Sequence, residues 1–549
     1  MGVIFYDLSF LVVFSICLII FLYAKRKNLK REGILYLYKT KLGIKFIDYI
    51  GKKFKRVINV LQYFSIVLGY FLMVGIFLLL ISAVYTYIKI PIKTPPLVPL
   101  IPYFPRIFGV QSFFPEFYFT YFIVAILIVA VVHEFSHGIF AKSKGLKIKS
   151  TGFALLWGVS KIFIFFYNKF KKIVESGYAI ILSVITILLI TGMVGSILWY
   201  LSILGIWYTK QIGFILALLV IPLLGAFVEP DEKAMMKKSK KDQMAILSAG
   251  VFANLITAVI FVLIALLFLN LAFSQAGAVF TSYVATEINV ADIGAVNDYA
   301  IIDANPGSIL KVIEDKNIED NLVVGFGKTS INLTEIKAGG KTYLTKIEIL
   351  KSQLKANMEI IPIYGDFPAL RAGLKGAITE INNVKIKNQE DLSMKLSKYK
   401  PGDEVTIKTK TEDEILSYNI KLSESPDKKG AAFLGIGTIK LESYSFRGIM
   451  QRFFVTFLRD PTVNYEPKFN GGIAIFIMDL LWWIILINFF VALFNMLPAG
   501  FLDGGRFFFL TVAGITRNEK FAKKASKFLI YIILLIIVLM MFFWFLALI

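Results

Sequence analysis

Residues 131–140 read VVHEFSHGIF, two histidines and a glutamate set inside the apolar run from Phe117 to Ala141. That run is long enough to cross a bilayer as a helix. Ionisable groups at such a depth are costly and mark function by default. His133 and His137 are four residues apart, so a helix stacks their rings one turn apart on one face, where both can reach a single ion. They are the only two histidines in the chain. A lone membrane histidine reads as a packing or interhelical hydrogen-bonding residue, but a pair at this spacing with Glu134 between them asks for a metal.

The rest of the chain provides the apolar setting that this stretch implies. Of 549 residues, 57% are hydrophobic and only 18% are charged, the composition of a multi-span membrane protein. The formal charge of +22 sits in short loops beside apolar runs and has no aromatic stacking platform, which speaks for orientation in a membrane and against nucleic acid. Cys17 is the single cysteine, which rules out an intrachain disulfide and any zinc site built on two or four thiolates. The first apolar run, Leu8 to Tyr23, is followed by AKRKNLKR and shows no small-residue cleavage site, so a retained anchor is expected.

Runs long enough to span fall near 8–24, 60–88, 117–141, 177–201, 209–228, 245–273, 475–497 and 526–549. The expected fold is therefore an α-helical membrane protein of about eight transmembrane helices. Loops 25–56, 142–176, 229–244 and 504–525 hold most of the basic charge that flanks the spans and are every second connection. This alternation puts them in the cytoplasm and both termini outside the cell membrane. The connection 276–450 differs, with mixed charge, Gly and Pro punctuation and alternation such as VTIKTK at 405–410, and reads as a soluble α+β domain on the outer side. The stretch STGFALLWG at 150–158 is too short to span and is broken by Gly152 and Gly158. A strand or hairpin dipping into the inner leaflet, its backbone shielded by protein, is the expectation.

His133 and His137 with Glu134 make the H-E-x-x-H arrangement of zinc metalloproteases: imidazoles bind zinc, zinc acidifies a water, and the carboxylate takes the proton. A catalytic zinc has three protein ligands and an open position, and with no histidine left the third must be a carboxylate or Cys17. The run 475–497 leads into FNMLPAGFLDGGR, which carries Asp503, and it holds Asp479 near its outer end. His133 lies about 24 Å of helix rise from the outer start of its own span, a depth that matches Asp503 and not Asp479. Set against this, Asp503 reads as a solvated turn or helix cap before two glycines, and Cys17 as a small buried apolar residue.

Together these residues resemble the intramembrane site-2 protease family, and its archaeal members most closely. The resemblance rests on HEFSH at 133–137, on SAGVFANL at 248–255 with G-x-x-x-N from Gly250 to Asn254, and on NMLPAGFLDGG at 495–505, which follows N-x-x-P-x-x-x-L-D-G. It implies that His133, His137 and Asp503 bind zinc, that Glu134 activates water, and that Asn254 and Asn495 hold substrate backbone near the metal. Either asparagine also reads as an interhelical hydrogen-bonding residue. The segment IPLLGAFVEPDEK at 221–233 is similar to archaeal members as well, though its acids Glu229, Asp231 and Glu232 read as a solvated loop. In the outer domain, residues 367–409 are similar to a PDZ domain, a module that can add a peptide strand to a sheet edge. Residues 276–360 have no counterpart in that resemblance.

The resulting organisation is accessory spans in 1–116, a first part of a membrane metalloprotease core in 117–275, an extracytoplasmic domain in 276–450 with its PDZ-like part at about 360–440, and the second part of the core in 451–549. The expected activity is zinc-dependent endoproteolysis within or beside the single transmembrane helix of a membrane-anchored substrate, from a site in the cytoplasmic half of the bilayer. Strand 150–158 is the expected edge for an unwound substrate. The rival readings are an inactive scaffold that binds proteins through its outer domain, and a metal-binding transporter. A transporter asks for polar residues along a path through the bilayer, and the sequence offers few.

Overall fold

A computed structural model describes residues 3–25, 28–32, 35–89, 102, 115–156, 223–326, 329–411, 414–437, 459–500 and 502–548. The chain divides into two compact units, Met1–Phe268 with Ile475–Ile549, and Leu269–Ala474.

The first unit is mostly helical. Its elements are α1 (Val3–Ala24), α2 (Ile44–Lys53), α3 (Lys55–Lys89), α4 (Phe119–Ser143), α5 (Lys240–Ala272, whose last turn belongs to the other unit), α6 (Gly471–Asn495), α7 (Asp503–Thr516) and α8 (Glu519–Leu548). Among the described residues, α3, α4, α5, α6 and α8 are long and apolar enough to cross a membrane. On α5, Ala245, Ala249, Ala258 and Ala265 are buried together with Ile246, Leu247 and Val251, whereas Leu263, Leu267 and Leu271 stand exposed on a face that can meet lipid.

All five of these helices lie on expected spans: α4 agrees to within two residues at each end and α6 to within four, whereas α3 and α5 begin five residues before their runs and α8 seven. The expected span 177–201 and the first part of 209–228 lie outside the described residues. The end of the latter is not helical: Leu223–Pro230 is strand β4 of an antiparallel sheet ordered β1 (Leu29–Glu32), β2 (Leu35–Thr40), β3 (Ile148–Leu156), β4. The expected strand at 150–158 is therefore β3, with its last two residues outside those described, and it is central. Ala154 pairs with Leu37 on one side and Gly225 on the other, so β3 has no edge to offer, and β4 is the outermost strand on that side among the described residues. The basic loop 25–56 is likewise ordered into β1, β2 and α2. Much of loop 504–525 is helix α7, because Phe507, Leu510 and Ala513 recur every three residues and bury one face.

Helix α4 is held at both ends. Its N-cap, Tyr118, makes no side-chain capping bond. Asp7 of α1 supplies the acceptor instead, taking the N–H of Phe119 at 2.9 Å, the N–H of Thr120 at 2.8 Å and the Thr120 hydroxyl at 2.5 Å. At the other end Lys144 bonds Asn59 and Gln62 of α3 and pairs with Asp242 of α5 at 2.9 Å.

The second unit, described by itself, contains two modules, each with a main core of its own, joined by a small cluster in which Leu370 packs with Val324, Leu333 and Leu344. Strands β6 (Ala285–Asn289), β7 (Ile293–Val296), β8 (Thr329–Ala338), β9 (Lys341–Thr345) and β10 (Ile360–Gly365) pair in the order β6-β10-β9-β8-β7. They bury Val296, Ile336 and Ile361 with Ile309, Ile313 and Leu350 from helices Pro306–Asp315 and Ile347–Lys355. The other sheet runs β13 (Ile415–Lys421), β12 (Glu404–Lys410), β11 (Ala377–Ile381), β5 (Phe273–Ala278), β14 (Val463–Pro467) around Leu374, Ile378, Ile381 and Ile407. Residues 276–360, which have no counterpart in the resemblance, thus form mostly a module inserted between β5 and β11.

Candidate metal centre

Helix α4 places His133 and His137 one turn apart on the face toward α5, and Asp503 arrives from the start of α7. Asp503 can be there because the chain doubles back tightly after α6. A side chain on Gly504 would overlap the backbone of Met496 and Leu497, and one on Gly505 the backbone of Ala499 and Gly500. Asp503 Oδ2 lies 3.2 Å from His133 Nε2 and 3.3 Å from His137 Nε2, and the two Nε2 atoms are 3.0 Å apart. Tetrahedral coordination at about 2.0–2.1 Å sets neighbouring ligand atoms about 3.3 Å apart, so this triangle has the size of one face of a zinc site. Two imidazoles and a carboxylate are also a donor set that zinc takes, and the three residues fit the ion. They are the one group of three or more such ligands within reach of each other among the described residues. Asp479 and Cys17 stand outside it, and Cys17 is exposed.

The site is buried but not closed. The three side chains are 10%, 13% and 20% exposed, enough to leave a side open to a cavity of about 490 Å³. Ile126, Val129 and Ala130 of α4 line it on one side and Gly225, Ala226 and Val228 of β4 on another. Glu134 lines it too, and its Oε2 accepts the N–H of Val228 at 3.0 Å, which fixes the carboxylate beside the ligands. N–H and C=O groups of alternate residues point to the same side of a strand, so Ala226 turns its backbone groups outward along the same edge. Glu229 anchors that strand: the Ser150 hydroxyl and the Lys39 ammonium hold its carboxyl below the ordinary range and keep it charged.

The two asparagines part company. Asn495, the last residue of α6, lines the cavity. Asn254 is fully buried with its amide 3.1 Å from His133 Nδ1. Gly250, one turn earlier on α5, has both rings against it: a Cβ there would stand 2.5 Å from His133 Cε1 and 2.6 Å from His137 Nε2. Sequence reasoning missed the β4 edge and the pair Arg506–Glu232, 4.0 Å apart, both lining the cavity. The acids of 229–232 read as a solvated loop; strand pairing, which brings Ser150 and Lys39 to Glu229, distinguishes that residue from one, and the approach of Arg506 from α7 distinguishes Glu232.

Residues 201–540 match peptidase family M50, a span that takes in Asn254, Asn495 and Asp503 and begins after the two histidines. Among characterised and uncharacterised proteins, the chain is similar to an uncharacterized protein of Methanocaldococcus jannaschii, 31% identical over 157 residues, 27% of this chain and 39% of that one. It is also similar to the zinc metalloprotease RasP of Shouchella clausii, 26% identical over 176 residues, 27% of this chain and 41% of that one. The chain thus spans about two fifths of the length of the curated relatives it matches.

Proposed function

The chain belongs to peptidase family M50, and on that premise we propose that it is a zinc-dependent endopeptidase that cuts membrane-anchored proteins within or beside their single transmembrane helix. The observation that carries this is the convergence of His133, His137 and Asp503 at 3.0–3.3 Å with Glu134 beside them, on helices built for a bilayer. Zinc held by those three residues supplies Lewis-acid chemistry, acidifying water and polarising the scissile carbonyl.

The chain's own groups do the rest. Glu134, fixed by the Val228 N–H, takes the proton of the attacking water and returns it to the leaving amine. A substrate helix hides its amides in internal hydrogen bonds, so it must unwind before it can react. The outer edge of β4, which carries the backbone groups of Ala226 and the carbonyl of Val228 along the cavity, is suited to pair with the extended chain. Asn495, on the cavity wall, is the amide suited to hold a substrate carbonyl. The site opens toward the cytoplasmic half, the termini and the second unit lie outside the cell, and the module around β11 and β12 is the PDZ-like part.

Glu134→Gln keeps the shape of the side chain and removes the base. The expected result is unchanged zinc content and loss of cleavage by about 10²-fold or more against single-span substrates reconstituted in liposomes. Wild-type protein that holds zinc yet cuts no member of a broad substrate panel would overturn the reading.

A further inference from the structure

For an imidazole to give its Nε2 lone pair to a cation, Nδ1 must carry the proton, and a buried N–H needs an acceptor. His137 has one in the Ile246 carbonyl, 2.6 Å from Nδ1. A carbonyl oxygen can only accept, so the tautomer of His137 is set. His133 Nδ1 faces the Asn254 amide instead. With the NH2 toward the ring, Asn254 Oδ1 is buried without a hydrogen-bond partner among the described residues, and His133 holds its proton on Nε2, the wrong side for a metal. Turning the amide by half a turn brings Oδ1 onto Nδ1–H and frees Nε2 toward Asp503 and His137. The orientation as placed leaves Oδ1 unpaired, so the ring decides it, and the metal-competent ring takes the oxygen.

We propose that Asn254 is a positioning residue of the metal centre: its amide oxygen accepts the Nδ1–H of His133 and holds the tautomer and ring plane in which Nε2 faces the cation. Ile246, Gly250 and Asn254 are four residues apart on one stripe of α5, so a single helix face offers an acceptor, a gap for two rings and a second acceptor. The inference rests on the zinc reading of the site. It gives Asn254 a task at the metal in place of one on the substrate.

The test is zinc affinity of the purified full-length chain in detergent, by competition with a chromogenic chelator. Asn254→Leu removes the acceptor, and about a 10- to 100-fold loss of affinity is expected. Asn254→Asp retains an oxygen acceptor and should stay within a few-fold of wild type. An asparagine that served the substrate would leave metal affinity unchanged in both variants and raise KM alone. Leucine binding zinc as tightly as wild type, or aspartate as weakly as leucine, overturns the proposal. If Asn254→Leu is not recovered folded, Asn254→Ala makes the same comparison. Wild-type protein without zinc affinity removes the metal reading itself, and this inference with it.

Discussion

Gly250 carries the tightest steric demand at the residue scale. An alanine methyl would sit within 2.6 Å of ring atoms of both histidines, and the rings cannot retreat without leaving Asp503 or the groups that face their Nδ1 atoms. Gly250→Ala should therefore lower zinc affinity by about 10-fold or more while alanine, the better helix former, leaves α5 intact. Chelator competition alongside circular dichroism checks both halves. Unchanged affinity would mean that the rings do not press on α5. Much of this centre was legible from sequence because its parts are local: HEFSH puts three groups within one helical turn, and depth along two spans picked Asp503 over Asp479. The contact between Asn254 and His133 was not, since 121 residues separate them and only packing of α5 on α4 brings them together.

At the scale of elements, α4 is a rod pinned at both ends, and the pins come from elsewhere in the chain. Asp7 is only 2% exposed, and its carboxylate satisfies two backbone N–H groups at the positive end of the α4 dipole. Asp7→Ala strands those donors and should cost about 1–2 kcal/mol, read as a lowered unfolding temperature in detergent, with Asp7→Asn falling between. No loss in the alanine variant would mean that α1 does not support α4. Hydrophobic length gave the long helices, because spanning is a property of one segment. It could not distinguish the central strand β3 from the edge strand β4, nor show that 223–228 leaves its apolar run as a strand, since pairing is a property of several segments at once.

At the scale of the molecule, the second unit is entered from α5 and left into α6, and the module of β6 to β10 is an insertion within it. The ends of the insertion touch: Gly365 N–H donates to Val284 O at 3.1 Å, and Ala285 pairs with Tyr364. Its core of Val296, Ile309, Ile313 and Ile336 is separate from the cluster around Ile378 and Ile407. A module with adjacent termini and its own core can be excised at the cost of its contacts with the host, here those of Leu370 with Val324, Leu333 and Leu344 and of Arg371 with Glu335. Replacing 285–364 by a short glycine linker should therefore leave zinc affinity unchanged and cleavage of a small single-span substrate within a few-fold of the full chain. If the inserted module acts as a steric filter, the shortened chain should also cut substrates that retain a bulky outer domain, which the full chain rejects. Cleavage of paired short and bulky substrates by both chains reads this out. Equal rejection of the bulky substrate by the two chains would show that selection lies in the membrane unit and not in the insertion.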